Sequence, residues 1–140
     1  MESTISMQDM RHLNLFRNIT KISTTLCFEY NDTIFFCVPR HLISKAIGEN
    51  GRNSKELNKI LGKKIKIIFT PDRGGFSEIR EFIADITAPV DFKGIEILGN
   101  ELIIQAGSKS KAALIGREKR RFFEMKKIVH DFFGKELRIV

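Results

Sequence analysis

The residues best placed to do chemistry lie in one short stretch, Lys45-Ala46-Ile47-Gly48-Glu49-Asn50-Gly51-Arg52, a G-x-x-G turn with an apolar lead-in and a basic exit. Two glycines in so short a connection let the backbone turn sharply and leave no side chain to hold a ligand away. The run Arg40 to Ile47 enters the turn and a run with Leu57, Ile60 and Leu61 leaves it, so the turn is predicted between two helices. The exiting helix then presents its free N–H groups and positive end to the gap, an arrangement suited to a phosphate. The chemistry implied is recognition of an anionic backbone, with Arg52 and Lys45 adding charge.

A second turn of the same kind follows at Ile115-Gly116-Arg117-Glu118-Lys119, where Lys119 stands in the place of the second glycine. Lys109 and Lys111 precede it and Arg120 and Arg121 follow. Between Ser108 and Lys127 these cations, with Lys126 and Lys127, face only Glu118 and Glu124, so nearly all of the net charge of +7 is concentrated there. A pI near 9.6 favours a polyanionic partner. Lys119 admits two accounts: a degenerate turn that has lost its backbone contact, or a turn that replaces that contact with a direct lysine–phosphate one, the account the local charge favours.

Catalysis has little to stand on. His12, His41 and His130 fall in three separate helices with no i, i+4 partner. No nucleophile elbow, Walker loop or carboxylate set with metal spacing is present, and Glu78, Glu81 and Asp85 read as a charged helix face. A non-enzyme without cofactor, catalytic residue or metal is expected. Cys27 and Cys37 lack metal-finger spacing. With a hairpin turn at Asn31-Asp32, Cys27 faces Phe36 and Cys37 faces Leu26, which points the thiols to opposite faces of a sheet and excludes a disulfide.

The elements that must hold these turns follow in order. Ser6 can cap a helix carrying Met7, Met10, Leu13 and Phe16. Thr24 to Tyr30 and Thr33 to Val38 form a hairpin, the two helices flank the turn, Gly62 ends the second, and Lys64 to Phe69 is a strand. The turn-rich linker Thr70-Pro71-Asp72-Arg73-Gly74-Gly75 follows, and then the order repeats. Ser77 can cap a helix with Ile79, Phe82, Ile83 and Ile86, broken by Pro89. A hairpin turns at Gly99-Asn100, helices flank Gly116, and Lys135 to Val140 closes. The same 68 residues separate Asn31 from Gly99 and Gly48 from Gly116, whereas 72 separate Gly62 from Gly134. The second exit helix should therefore be longer by about one turn. The fold class is α+β: two units, residues 1–70 and 71–140, each with a three-stranded mixed sheet packed against helices.

In the second hairpin Ile95, Ile97, Leu102, Ile104 and Ala106 should be buried. The matching face of the first is Cys27, Glu29, Ile34, Phe36 and Val38, which leaves Leu26, Phe28, Tyr30 and Phe35 on a face expected to be wet. That face is covered by the other repeat, or the register differs from this one, or it is open as a protein-docking patch. Phe122, Phe123, Phe132 and Phe133 read as core.

On these motifs the chain resembles the tandem KH proteins of prokaryotic type, in particular the short archaeal NusA-like transcription factors, over nearly its whole length. The resemblance implies two KH modules that bind single-stranded RNA in transcription termination or antitermination, with RNA polymerase as a second candidate partner. It places the RNA on Ile43, Lys45, Ile47, Gly48, Glu49, Asn50, Gly51 and Arg52 of the first module. In the second module the matching residues are Ile115, Gly116, Arg117, Glu118 and Lys119, with Lys109, Lys111, Arg120 and Arg121 adding charge. Ser54 departs from the family, which commonly has an apolar residue three positions after the second glycine, while Leu57 and Ile60 keep the inward face. A monomer is expected. With no apolar run long enough for a signal peptide or membrane span, so is a cytoplasmic location. The alternative is a KH protein of ribosome assembly or RNA processing.

Overall fold

The computed structural model describes residues 6–71 and 75–140, so residues 72–74 of the linker lie outside the described residues. The chain divides into two compact units, one ending at Thr70 and the other running from Pro71 to Val140. Among the described residues each contains three α-helices and a three-stranded sheet in the order helix, strand, strand, helix, helix, strand.

In the first unit α1 spans Met7–Thr20, and Ser6, in extended conformation, accepts a hydrogen bond from the Asp9 N–H at 3.0 Å. Phe16 is fully buried, but Met7 and Met10 are 72% and 51% exposed, which corrects the expected apolar stripe. A strict three-residue spacing drifts against the 3.6-residue helical period, so Met7 falls on the side opposite Phe16. Strands β1 (Cys27–Tyr30) and β2 (Thr33–Val38) pair antiparallel about Asn31 and Asp32, both left-handed with φ of 52° and 56°. The register matches Cys27 with Phe36, and the Cys37 N–H donates to the Leu26 carbonyl at 3.0 Å. The thiols therefore lie on opposite faces, and both are free.

β3 (Lys64–Phe69) lies parallel to β2, with Ile34 opposite Ile65 and Phe36 opposite Ile67. A parallel partner requires a crossover, and α2 (Ile43–Ile47) and α3 (Arg52–Leu61) supply it. The buried cluster they cover holds Phe16, Ile22, Ile34, Phe36, Val38, Ala46, Leu57 and Ile67, with the Phe16 and Phe36 rings stacked 4.4 Å apart. Ile60 is exposed, so the inward face of α3 rests on Leu57 and the half-buried Leu61, one turn on.

The expected wet face of the hairpin is corrected in part. Tyr30 and Phe35 are 3% and 1% exposed, so they offer no docking patch, while Leu26 and Phe28 are half-buried. The reason is visible in β2: Thr-Ile-Phe-Phe-Cys-Val is a continuous apolar run on the central strand, and all six of its residues are buried.

The second unit repeats this order with α4 (Phe76–Thr87), β4 (Gly94–Leu98), β5 (Glu101–Gln105), α5 (Ser108–Ile115), α6 (Arg120–Phe133) and β6 (Glu136–Ile139). α4 starts earlier than Ser77: Gly75, in extended conformation, is its N-terminal boundary and accepts from the Ile79 N–H at 3.0 Å. β4 pairs antiparallel with β5, Ile95 opposite Ile104, and β6 runs parallel to β5, Leu102 opposite Leu137. Ile95, Leu102 and Ile104 are buried, and so is Ile103 on the other face. Left-handed glycines, Gly62 and Gly134, end α3 and α6. The helices measure 10 and 14 residues, the extra turn the glycine spacing implied.

Phe36→Ala removes one ring of the stacked, fully buried pair. It should lower unfolding stability by about 3–5 kcal/mol in urea titration, and a loss below about 1 kcal/mol would show that the pair is not tightly packed.

Candidate functional site

The two interhelical turns have the same backbone. Gly48 has φ 84° and ψ 166°, Asn50 φ 56° and Gly51 φ 71°, after which α3 begins at Arg52. In the second unit Gly116 has φ 76° and ψ 175°, Glu118 φ 55° and Lys119 φ 60°, after which α6 begins at Arg120. A hydrogen bond closes each turn, Gly51 N–H to Gly48 O at 3.0 Å and Lys119 N–H to Gly116 O at 3.2 Å. Lys119 therefore occupies the left-handed position of Gly51, and the turn keeps its shape without the second glycine.

Packing explains which glycine can be lost. A Cβ on Gly48 would lie 3.0 Å from the Asn53 side chain and 3.1 Å from its backbone nitrogen. A Cβ on Gly116 would lie 3.0 Å from Arg121 Cγ and 3.2 Å from its backbone nitrogen. The first glycine thus lets the turn lie directly on the first residues of the exit helix. In the first unit Asn53 fastens this contact, its Nδ2 donating to the Ala46 carbonyl at 3.1 Å. By contrast a Cβ on Gly51 would meet only Lys55 Cε, at 3.8 Å. The second position needs only a left-handed φ, which costs a non-glycine residue about 1 kcal/mol and which Lys119 accepts.

Beside each turn lies an open depression. The first is lined by Glu49, Asn50, Arg52 and Lys55, the second by Arg117, Glu118, Arg120, Phe123 and Glu124. The 68-residue spacing maps the first four positions onto Arg117, Glu118, Arg120 and Phe123, so the two depressions are one feature with different side chains. Neither Gly51 nor Lys119 gives the following helix a side-chain acceptor for its first N–H groups.

The other sequence-predicted residues divide by position. Lys45 is exposed on α2, whereas Ile43 and Ile47 are half-buried against the first unit's core. Lys109 and Lys111 are exposed on α5, and Ile115 is half-buried at its end. Arg120 is exposed and Arg121 half-buried on the first turn of α6. The structure adds Asn53, Lys55, Phe123 and Glu124. Lys55 lies three residues beyond Arg52, on the same helix face, a signal the sequence carried. Phe123 is 55% exposed, which corrects its reading as core, and Phe122 and Phe133 are half-buried rather than interior, while Phe132 is buried.

Among the described residues one set could hold a metal ion: Asp9, His12 and Cys27, with ligand atoms within 4.8 Å of one another. His12 is therefore not isolated: it has no i, i+4 partner, but Asp9 lies three residues before it on α1 and Cys27 reaches it from β1. Burial, and after it the Asp9 carboxylate, push the Cys27 thiol up to about 12, and burial also raises that of Cys37. Thiols held in that range are poor nucleophiles near neutral pH. No helix among the described residues is long and apolar enough to cross a membrane.

Fold and turns together define a duplicated α+β protein in which each half presents one strained turn and its adjoining depression. The chain is 26% identical over 120 residues to the probable transcription termination protein NusA of Methanococcus vannielii, a match covering 83% of this chain and 66% of that protein. It is 26% identical over 121 residues to the protein of the same name from Halococcus morrhuae, covering 84% of each. The chain is thus NusA-like, similar to these archaeal proteins over most of its length, and it spans about two thirds of the Methanococcus one. Its fold matches the crystal structure of APE1850 with a TM-score of 0.61 at 23% identity, over 97% of this chain and 100% of that one. No protein-family model matches the chain.

The two turn positions predict effects of opposite sign. Lys119→Gly should raise the stability of the second unit by up to about 1 kcal/mol by relieving the left-handed lysine. Gly116→Ala should cost about 2 kcal/mol or more, since both its φ/ψ and its contact with Arg121 exclude a Cβ. Thermal melts of the two variants check this, and a destabilised Lys119→Gly would refute the account of the turn.

Proposed function

We propose that the chain is an RNA-binding factor of the NusA type made of two KH modules, residues 1–70 and 71–140. In this reading it binds extended single-stranded RNA and acts in transcription termination or antitermination. The observation that carries the reading is the pair of interhelical turns with nearly equal backbone angles, each opening a helix that has no side-chain N-cap and each flanked by exposed cations. A backbone brought to its neighbours without an intervening Cβ can approach a phosphate closely, and an interhelical G-x-x-G loop is how KH modules clamp a nucleotide backbone. The names of the archaeal relatives, probable transcription termination protein NusA, agree with the same process.

In the first module the RNA backbone passes Gly48 to Gly51, with Arg52, Lys45 and Lys55 supplying charge and the exposed edges of Ile43 and Ile47 facing the bases. In the second, Lys119 replaces a backbone contact with a side-chain one, supported by Arg117, Arg120, Lys109 and Lys111. Its retained backbone supports this account over loss of the site. The protein acts by binding rather than by catalysis, as a monomer in the cytoplasm, with RNA polymerase as a second partner.

The test is a titration of fluorescent single-stranded RNA, with duplex RNA and single-stranded DNA as controls, at low and near-physiological salt. Gly51→Asp should weaken RNA binding about tenfold or more, because it sets an anion where a charge-assisted contact forms. Gly51→Lys, which copies the second turn, should bind within a few-fold of the wild type. Asp tolerates the left-handed region and its Cβ meets only Lys55 Cε at 3.8 Å, so the fold should persist. Equal, salt-sensitive binding to all three ligands with no effect of Gly51→Asp would overturn the proposal and leave only a basic surface. Lys119→Gly asks the matching question of the second module: weaker binding supports a lysine contact, stronger binding a degenerate site.

A further inference from the structure

The depressions beside the two turns differ at three of their four equivalent positions, one of them Glu49 against Arg117. Where the first has Lys55, the second has Phe123, and where the first has Asn50, the second has Glu118. Phe123 is 55% exposed on a helix where Met125, Ile128, Val129 and Phe132 are buried and Phe122 and Phe133 half-buried. A single exposed apolar residue is ordinary on a protein surface. Phe123 differs in its surroundings, because it lines a concavity with two arginines, Arg117 and Arg120, and two carboxylates, Glu118 and Glu124. Phe122 packs edge-on against its ring, with centroids 5.6 Å apart and planes at 69°.

An exposed aromatic face lined with a cation and a carboxylate makes a combination that suits a nucleotide. The ring offers a stacking surface to any base, Arg117 suits the phosphate, and Glu118 can accept from an exocyclic amino group. We propose that this depression is a subsite for one unpaired nucleobase of the bound RNA, with Phe123 as its stacking platform. The inference rests on the reading of the chain as a single-strand RNA binder and gives the two modules different tasks. The first holds backbone through its glycines and Lys55, and the second holds backbone and one base. An unstacked base is available only in single strands, so Phe123 also contributes to discrimination against duplex.

The experiment uses the full chain and a short unstructured RNA carrying 2-aminopurine at each position in turn. The variants are Phe123→Leu, which keeps the apolar bulk without the π face, and Phe123→Tyr, which keeps both. Phe123→Leu should weaken binding about 5- to 150-fold, the range for one lost base–aromatic stack. It should leave the dependence on salt unchanged, since no phosphate contact is removed. Phe123→Tyr should bind within about twofold of the wild type, as every base can stack on either ring. One 2-aminopurine position should be quenched on binding to the wild type and to Phe123→Tyr but not to Phe123→Leu. Wild-type affinity and quenching in Phe123→Leu, beside a loss in Gly51→Asp, would overturn the subsite and leave the RNA-binding reading intact. No RNA binding by the wild type would overturn both.

Discussion

The contact on which the rest of the site depends is that between the first glycine of each turn and the side chain five residues further on. Gly48 lies against Asn53 and Gly116 against Arg121, each so close that a Cβ would press on its neighbour at 3.0 Å, at a φ that also disfavours a side chain. This contact fixes where the exit helix starts relative to the end of the entry helix. The start of the exit helix fixes the depression beside the turn, and the same crossover of two helices lets the third strand return parallel to the second. A larger residue at Gly48 or Gly116 would meet both a strained φ and a crowded neighbour. The second glycine is a different case: its position asks only for a backbone angle, and one half of the chain meets that demand with lysine.

Much of this was legible in the sequence because it rested on spacing. The 68-residue interval between hairpins and between glycines, the left-handed stop at Gly62 and Gly134, and the register that separates the two thiols all follow from local chemistry. The misreadings came where local pattern and three-dimensional context diverged. Met7 and Met10 share near-helical spacing with Phe16, yet each step of three residues turns them further from it, and both are exposed. Alternation drawn from the second hairpin left Tyr30 and Phe35 wet, although the unbroken apolar run of β2 already signalled a strand buried on both faces. Phe123 was hidden among four phenylalanines at helical spacing, and only its position relative to Lys55 set it apart. The meeting of His12 with Cys27 joins α1 to β1 and has no signature in sequence distance.

The two turns also show how one backbone can carry two chemistries. With φ and ψ nearly equal, the difference between Glu49-Asn50-Gly51 and Arg117-Glu118-Lys119 is one of charge and reach. The first turn presents bare backbone with one acid and, on the following helix, Arg52 and Lys55. The second surrounds its carboxylates with arginine and lysine and adds an aromatic ring. Duplication of a turn followed by divergence of its side chains is a low-cost route to a two-part surface, because the strained backbone is solved once and copied.

The topology has a consequence for the order in which the molecule becomes competent. Each turn lies inside the connection between the central strand and its parallel partner, so neither is held until that last strand has paired. The first unit is contiguous and contains its own closing strand, which ends at Phe69. During synthesis, therefore, the first turn can take its final shape once Phe69 has cleared the ribosome, while the second half is still being translated.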